Sequence, residues 1–102
     1  MTGPRRLDPV FAQVFGANLA ASREAAGVSQ EELGFLADLH RTAIGQLERG
    51  QRIARSDTLL RLCTSLGVSA EELFEGLRWT PAQYTRGQLV IAVRKEPEAW
   101  RS

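Results

Sequence analysis

The 102-residue chain predicts a mainly α-helical domain of five helices followed by a short C-terminal extension. Three observations predict it. Apolar residues recur at helical spacing from Phe11 to Phe74; glycine stops at Gly27 and Gly67 are each followed two residues later by a serine start, Ser29 and Ser69; and β-branched residues collect into a run only at Leu89 to Val93. At this length one small domain with a single core is expected, and an apolar content of 43% suits a globular protein.

Residues 1–7 carry Gly3-Pro4 and Arg5-Arg6 and read as a flexible basic arm. Asp8 is placed to cap a first helix with Pro9 at its first position, where the missing amide costs nothing. That helix should bury Phe11, Val14, Phe15, Leu19 and Ala26 and stop at Gly27. Ser29 followed by Glu32 spells a capping box, which starts a second helix at Gln30 with Leu33, Leu36 and Ala37 on its inner face. Gly34 permits a close backbone approach on that helix. The pattern breaks over residues 37–39, where Asp38 is one of the few non-glycine residues that tolerates a left-handed turn.

A third helix begins at His40 or Arg41, with Ile44 and Leu47 inward and Arg41, Thr42, Gly45, Gln46 and Arg49 outward. A basic loop, Gln51 to Arg55, leads to a fourth helix capped by Ser56 with an apolar face of Leu59, Leu60, Leu62, Cys63 and Leu66. Gly67 ends it, and Ser69 with Glu72 opens a short fifth helix holding Leu73 and Phe74. The domain is thus assigned to residues 8–77 and the extension to 78–102. In the extension, Trp79-Thr80-Pro81 should redirect the chain, and Leu89 to Val93 reads as a strand or as a further packed helix. Read as a strand, it has no internal partner in a helical domain. Its partner would then be a second copy, and Trp79, Tyr84, Leu89, Val90, Ile91 and Val93 are expected to build the dimer interface.

Composition excludes several functions. One Cys and one His cannot supply a disulfide framework or a Cys/His zinc cluster, so no metal and no cofactor is expected. Cys63 lies among leucines and reads as a small core residue. No run approaches the roughly 18 apolar residues of a membrane helix, and the N-terminus lacks an apolar segment after its charges. A cytoplasmic, soluble protein with no membrane partner is expected. The net charge is only +1, but residues 40–55 hold four arginines against one glutamate, a local +3, while 19–39 and 56–77 each hold one arginine against four acids, −3. A one-sided basic patch between acidic flanks is the footprint of phosphate binding.

Two short helices joined by a tight turn, with a polar and basic outer face on the second, form the layout of a DNA-reading helix-turn-helix. Reading base edges needs a forked donor or a paired donor and acceptor, which arginine and glutamine provide. Arg41, Thr42 and Gln46 share one exposed strip and are the expected base contacts. Arg49, Arg52 and Arg55 would follow the phosphates or enter a flanking minor groove. Gln30 opens the second helix, where outward amides and the positive dipole end suit a phosphate.

Arg23, Gly27, Ser29-Gln30, Leu33, Ile44, Glu48 and Gly50 stand at the ordered spacing of a known pattern, and the chain from Phe15 to Leu77 resembles the lambda-repressor-like, or XRE/Cro, family of helix-turn-helix regulators. Gly34 replaces that family's common alanine and Asp38 the common glycine of its turn. The resemblance implies base-reading positions at Arg41, Thr42, Gly45 and Gln46, although Gly45 brings no side chain. It also implies that Gln30 braces the backbone and the recognition helix, and that Arg23 and Glu48 form a structural ion pair tying the first helix to the third.

The expected function is a sequence-specific, double-stranded-DNA-binding transcriptional regulator acting as a homodimer on a palindromic operator. An antitoxin or a restriction-modification controller would carry the same residues. From another class, the Leu89 to Val93 edge or the aromatics Trp79, Tyr84 and Trp100 could bind a second protein partner with the helix-turn-helix as scaffold. Enzyme chemistry is not expected: the sequence shows no paired acid-base set in a plausible cleft and no catalytic residues.

Overall fold

The computed structural model describes residues 8–81 and 87–91. Five helices run in chain order: α1 Pro9–Ala25, α2 Gln30–Ala37, α3 Arg41–Glu48, α4 Ser56–Leu66 and α5 Ala70–Leu73. Two short strands follow, β1 Leu77–Thr80 and β2 Gln88–Ile91. No described helix is long and apolar enough to cross a membrane.

The local starts and stops explain most of the boundaries. The Asp8 carboxylate accepts from the amides of Val10 and Phe11, and Pro9 opens α1. At α2 the capping box is reciprocal: Ser29 Oγ accepts from Glu32 N at 3.0 Å, and Glu32 Oε1 accepts from Ser29 N at 2.7 Å. Asp38 takes φ 59°, so the chain leaves α2 through a left-handed residue. The turn then packs its backbone on Gly34, where a Cβ would stand 2.5 Å from the Leu39 carbonyl oxygen. At α3 the imidazole Nδ1 of His40 accepts from Thr42 N at 3.0 Å and caps the helix. Helix α4 departs from expectation: its cap residue is Arg55, with no side-chain cap bond, and Ser56 is the first helical residue.

The core comprises Phe15, Leu19, Leu33, Ala37, Ile44, Leu47, Leu62 and Leu73, to which each helix contributes. Burying a leucine in full is worth about 1.5–3 kcal/mol, so these few side chains dominate the packing energy. Phe11, Phe15 and Phe74 place their rings 5.7–6.1 Å apart and join α1 to the end of α5. Three residues expected in the core are exposed instead. Leu36 and Leu60 are 54% and 67% exposed, and Ala26 is exposed at the end of α1. Short helices on a small core bury a narrow stripe, so apolar residues at its margin face water.

The largest correction concerns the C-terminal segment. The strand is not alone: β2 pairs antiparallel with β1, in the register Leu77 with Ile91, Arg78 with Val90, Trp79 with Leu89 and Thr80 with Gln88. The chain is redirected before Trp79, since Phe74 already closes α5 and Gly76 adopts φ 88°. β1 starts at Leu77, and β2 packs against α1. The indole of Trp79 lies over Gly87, where a Cβ would stand 2.5 Å from Cζ2. Tyr84, Val93 and Trp100 lie outside the described residues.

Candidate nucleic-acid interface

Helix α3 has two opposed faces. Ala43, Ile44 and Leu47 are buried, while Arg41 and Thr42 are exposed and Gln46 is half-buried on the outer side. Spacings of three and four residues place Thr42, Gln46 and Arg49 along one strip. Gly45 is not an open outward position. It is buried beneath the Arg49 guanidinium, and a Cβ there would stand 3.0 Å from Arg49 Nη1. The space that a side chain at residue 45 would fill is therefore occupied by Arg49, which also donates from Nη2 to Gln51 Oε1 at 3.3 Å.

Gln30, Arg41, Thr42, Gly45 and Arg49 together line a shallow polar cleft of about 270 Å³. Two arginines beside the first turn of α2 give it the charge and the donors that a phosphate requires. Arg41 Nη1 stands 4.0 Å from Glu31 Oε1, with both side chains largely exposed, so the pair restrains Arg41 weakly. Arg52 donates from Nη1 to Gln46 Oε1 at 3.3 Å. Arg55 is turned toward the start of α4, where its Nε lies 3.3 Å from Asp57 Oδ1. That carboxylate also faces Arg61, so Arg55 has a protein partner that Arg52 does not share.

Behind this surface Glu48 ties three helices together. Arg23 Nε donates to its Oε2 at 2.6 Å and Arg23 Nη2 to its Oε1 at 3.2 Å, a two-pronged pair between α1 and α3. Gln30 Nε2 donates to the same Oε1 at 3.0 Å and brings in the start of α2. The Arg23 and Glu48 side chains are only 14% and 7% exposed. The hydrogen bond to Glu48 holds the Arg23 guanidinium above its ordinary pKa, against the opposing effect of burial, and the charges of Glu48 and Glu24 add to the rise. Arg23 Nη1 donates to the Val28 carbonyl at 2.9 Å, so the same side chain also fixes the entry to α2.

The sequence profile of the helix-turn-helix family matches residues 19–73. The chain belongs to that family. Among solved structures this helix-turn-helix protein is similar to the restriction-modification controller protein C.AhdI from Aeromonas hydrophila, with 45% identity and a TM-score of 0.58 over 59% of this chain and 87% of that one. It is also similar to the P22 c2 repressor in complex with a synthetic operator, at 30% identity and a TM-score of 0.57 over 60% of this chain and 92% of that one. Control protein C.BamHI of Bacillus amyloliquefaciens is 42% identical over 48 residues, which are 47% of this chain and 59% of that protein. Control protein C.SmaI of Serratia marcescens is 34% identical over 68 residues, 65% of this chain and 81% of that protein. The family and its solved members make this helix-turn-helix chain a DNA-binding regulator of the lambda-repressor-like kind.

Three residues that position the helix-turn-helix escaped the sequence reading. Gly16 lets α1 and α3 approach closely: a Cβ there would stand 2.6 Å from the Glu48 carbonyl oxygen and nearer still to that of Leu47. Asn18 Nδ2 donates to the carbonyls of Leu73 and Glu75 at 2.9 and 2.8 Å and so closes α5 onto α1. Arg61 Nε donates to the Ala37 carbonyl at 2.8 Å and satisfies the end of α2. The available signal was polarity or smallness at positions whose neighbours in the helix are apolar.

Proposed function

We propose that the protein is a sequence-specific transcriptional regulator that acts as a homodimer on an inverted-repeat operator, and that it is of the restriction-modification controller type. The observation that carries the DNA reading is the division of α3: Arg41, Thr42 and Gln46 stand outward while Ala43, Ile44 and Leu47 anchor the same helix in the core. A helix held so firmly from behind presents its outer side chains in fixed register, which base readout requires. The likeness to two control proteins and to a restriction-modification controller favours that type over an antitoxin.

The hairpin, in place of a lone strand, offers the surface for a two-fold contact. Among the described residues, each strand of the hairpin has one edge paired in the chain and one outer edge, and Trp79 is 59% exposed beside them. Two-fold packing of two such hairpins would cover both features. Leu89 and Val90 are half-buried in β2 and would lie near that contact. With two recognition helices about 34 Å apart, half-sites should repeat at ~10 base pairs centre to centre.

The test is sedimentation of the protein alone and with a duplex carrying the inverted repeat recovered from a random pool. The proposal expects a dimer at micromolar concentration and two chains per duplex. A monomer that binds one half-site without gain from the second would contradict the dimer. Failure to prefer any sequence over random duplex at two salt concentrations would favour the protein-interaction reading.

A further inference from the structure

We propose that Arg52 is a positioning residue for base readout. It holds the Gln46 carboxamide so that this position of α3 presents only donors to the major groove and selects guanine, where an unrestrained glutamine selects adenine. The inference rests on α3 being the DNA-reading helix and names how one of its positions is set.

The geometry starts with the chain reversal after α3. Gly50 adopts φ 73°, and Gln51 N donates to the Gln46 carbonyl at 2.8 Å, which folds the following loop back over residue 46. Arg52, exposed at the start of that loop, then donates from Nη1 to Gln46 Oε1 at 3.3 Å. An arginine only donates, so the atom turned toward it is the amide oxygen, and the orientation of the carboxamide is decided by chemistry. The neighbouring arginine does not compete. Arg49 lies over Gly45 and donates to Gln51, which leaves Gln46 to Arg52.

An amide oxygen that accepts from a guanidinium becomes a poorer acceptor for anything else, while its own N–H groups become better donors. Adenine offers an acceptor at N7 and a donor at N6, and needs both faces of the amide; guanine offers acceptors at N7 and O6. With its oxygen turned to Arg52, Gln46 presents its Nε2 hydrogens as the donors that face the groove. That donor edge matches guanine, whereas the N6 amino group of adenine would have to share the weakened Gln46 oxygen with Arg52.

The test selects binding sites from a random-sequence duplex pool with the parent, Arg52→Ala, Gln46→Ala and the double variant. Each protein is then titrated on the parent's best site with all four base pairs at the position where Gln46→Ala loses preference. The parent should enrich guanine there. Arg52→Ala should shift the guanine-to-adenine affinity ratio at that same base pair by about tenfold or more toward adenine, with other positions unchanged. The double variant should match Gln46→Ala. If Arg52→Ala weakens every sequence alike and keeps the guanine preference, Arg52 is a phosphate contact and the proposal fails. It fails equally if the parent enriches adenine at that position, or if Gln46→Ala loses preference nowhere. A parent that enriches no sequence at all would instead overturn the reading of α3 as the DNA-reading helix.

Discussion

The helix-turn-helix and the C-terminal hairpin are held by different kinds of interaction. Helices α2 and α3 are fixed by local caps at each end and by one nearly buried carboxylate, Glu48, that gathers Arg23 and Gln30. The hairpin is held by a ladder between segments about ten residues apart and by packing of β2 on α1, with Trp79 largely in solvent. The first region is over-determined, which suits a surface that must read bases in register. The second, among the described residues, keeps exposed apolar area and outer strand edges, which suits a surface that meets another chain. Substitutions behind α3 should therefore cost stability, and those in the hairpin should cost assembly.

The sharpest contrast is expected at Glu48. Glu48→Ala leaves the Arg23 charge nearly buried without its partner and should cost on the order of 3 kcal/mol. For a domain of this size that lowers Tm by roughly 10 °C or more in thermal melting. Gly16→Ala attacks the same α1–α3 contact by steric means, and should destabilise by about 1–3 kcal/mol because the opposing atoms are backbone. A Gly16→Ala protein with parental Tm would show that α1 and α3 can separate freely, and would weaken the claim that α3 is rigidly presented.

Trp79→Ala should do the reverse. Its ring is 59% exposed and covers Gly87 at the hairpin, so helical melting should move by about 1 kcal/mol or less while sedimentation shifts toward monomer. Loss of helical stability without loss of assembly would place Trp79 in the folding unit and remove the contrast between the regions.

The smallest effect is expected at Cys63. Burial, and then the charge of Glu72, push its thiol pKa up, so at pH 8 less of it is thiolate and alkylation should be slower than for a free cysteine. The sign for stability follows: the contribution of the neutral thiol is complete below the ordinary thiol pKa and is lost as pH rises through the raised folded value. Alkylation at the rate of an unfolded control would mean that α4 opens readily from the core.

What could be read from the sequence divides along the same line. The caps at Asp8, Ser29 and Ser69, the left-handed Asp38 and the buried face of α3 are written in residues within four positions of one another, and local chemistry decides them. The partner of β2 was missed although Leu77, Arg78, Trp79 and Thr80 alternate apolar and polar residues: the run is only four residues long, follows closely on the fifth helix and is cut off by Pro81, and its pairing is decided by β2, which lies beyond the turn. Gly16, Asn18 and Arg61 act across 24 to 57 residues of chain, where no spacing rule applies. Leu36 and Leu60 matched helical periodicity yet face water, since periodicity names a face and not the width of the core stripe. At the proposed reading surface the residue types were legible, but the covering of Gly45 by Arg49 and the bond from Arg52 to Gln46 depend on the chain reversal at Gly50.

The central claim is that α3 reads sequence through its outward side chains, and Arg41→Ala tests it most directly. Arg41 is exposed, its ion pair with Glu31 is long, and its removal leaves the Glu48 hub intact. Affinity should be measured for parent and variant on the selected operator and on random duplex at two salt concentrations. The account predicts a loss of about 1–3 kcal/mol on the operator, confined to particular base pairs, and a much smaller change on random duplex. An equal loss on both would make Arg41 a phosphate contact only and would contradict base readout from the start of α3.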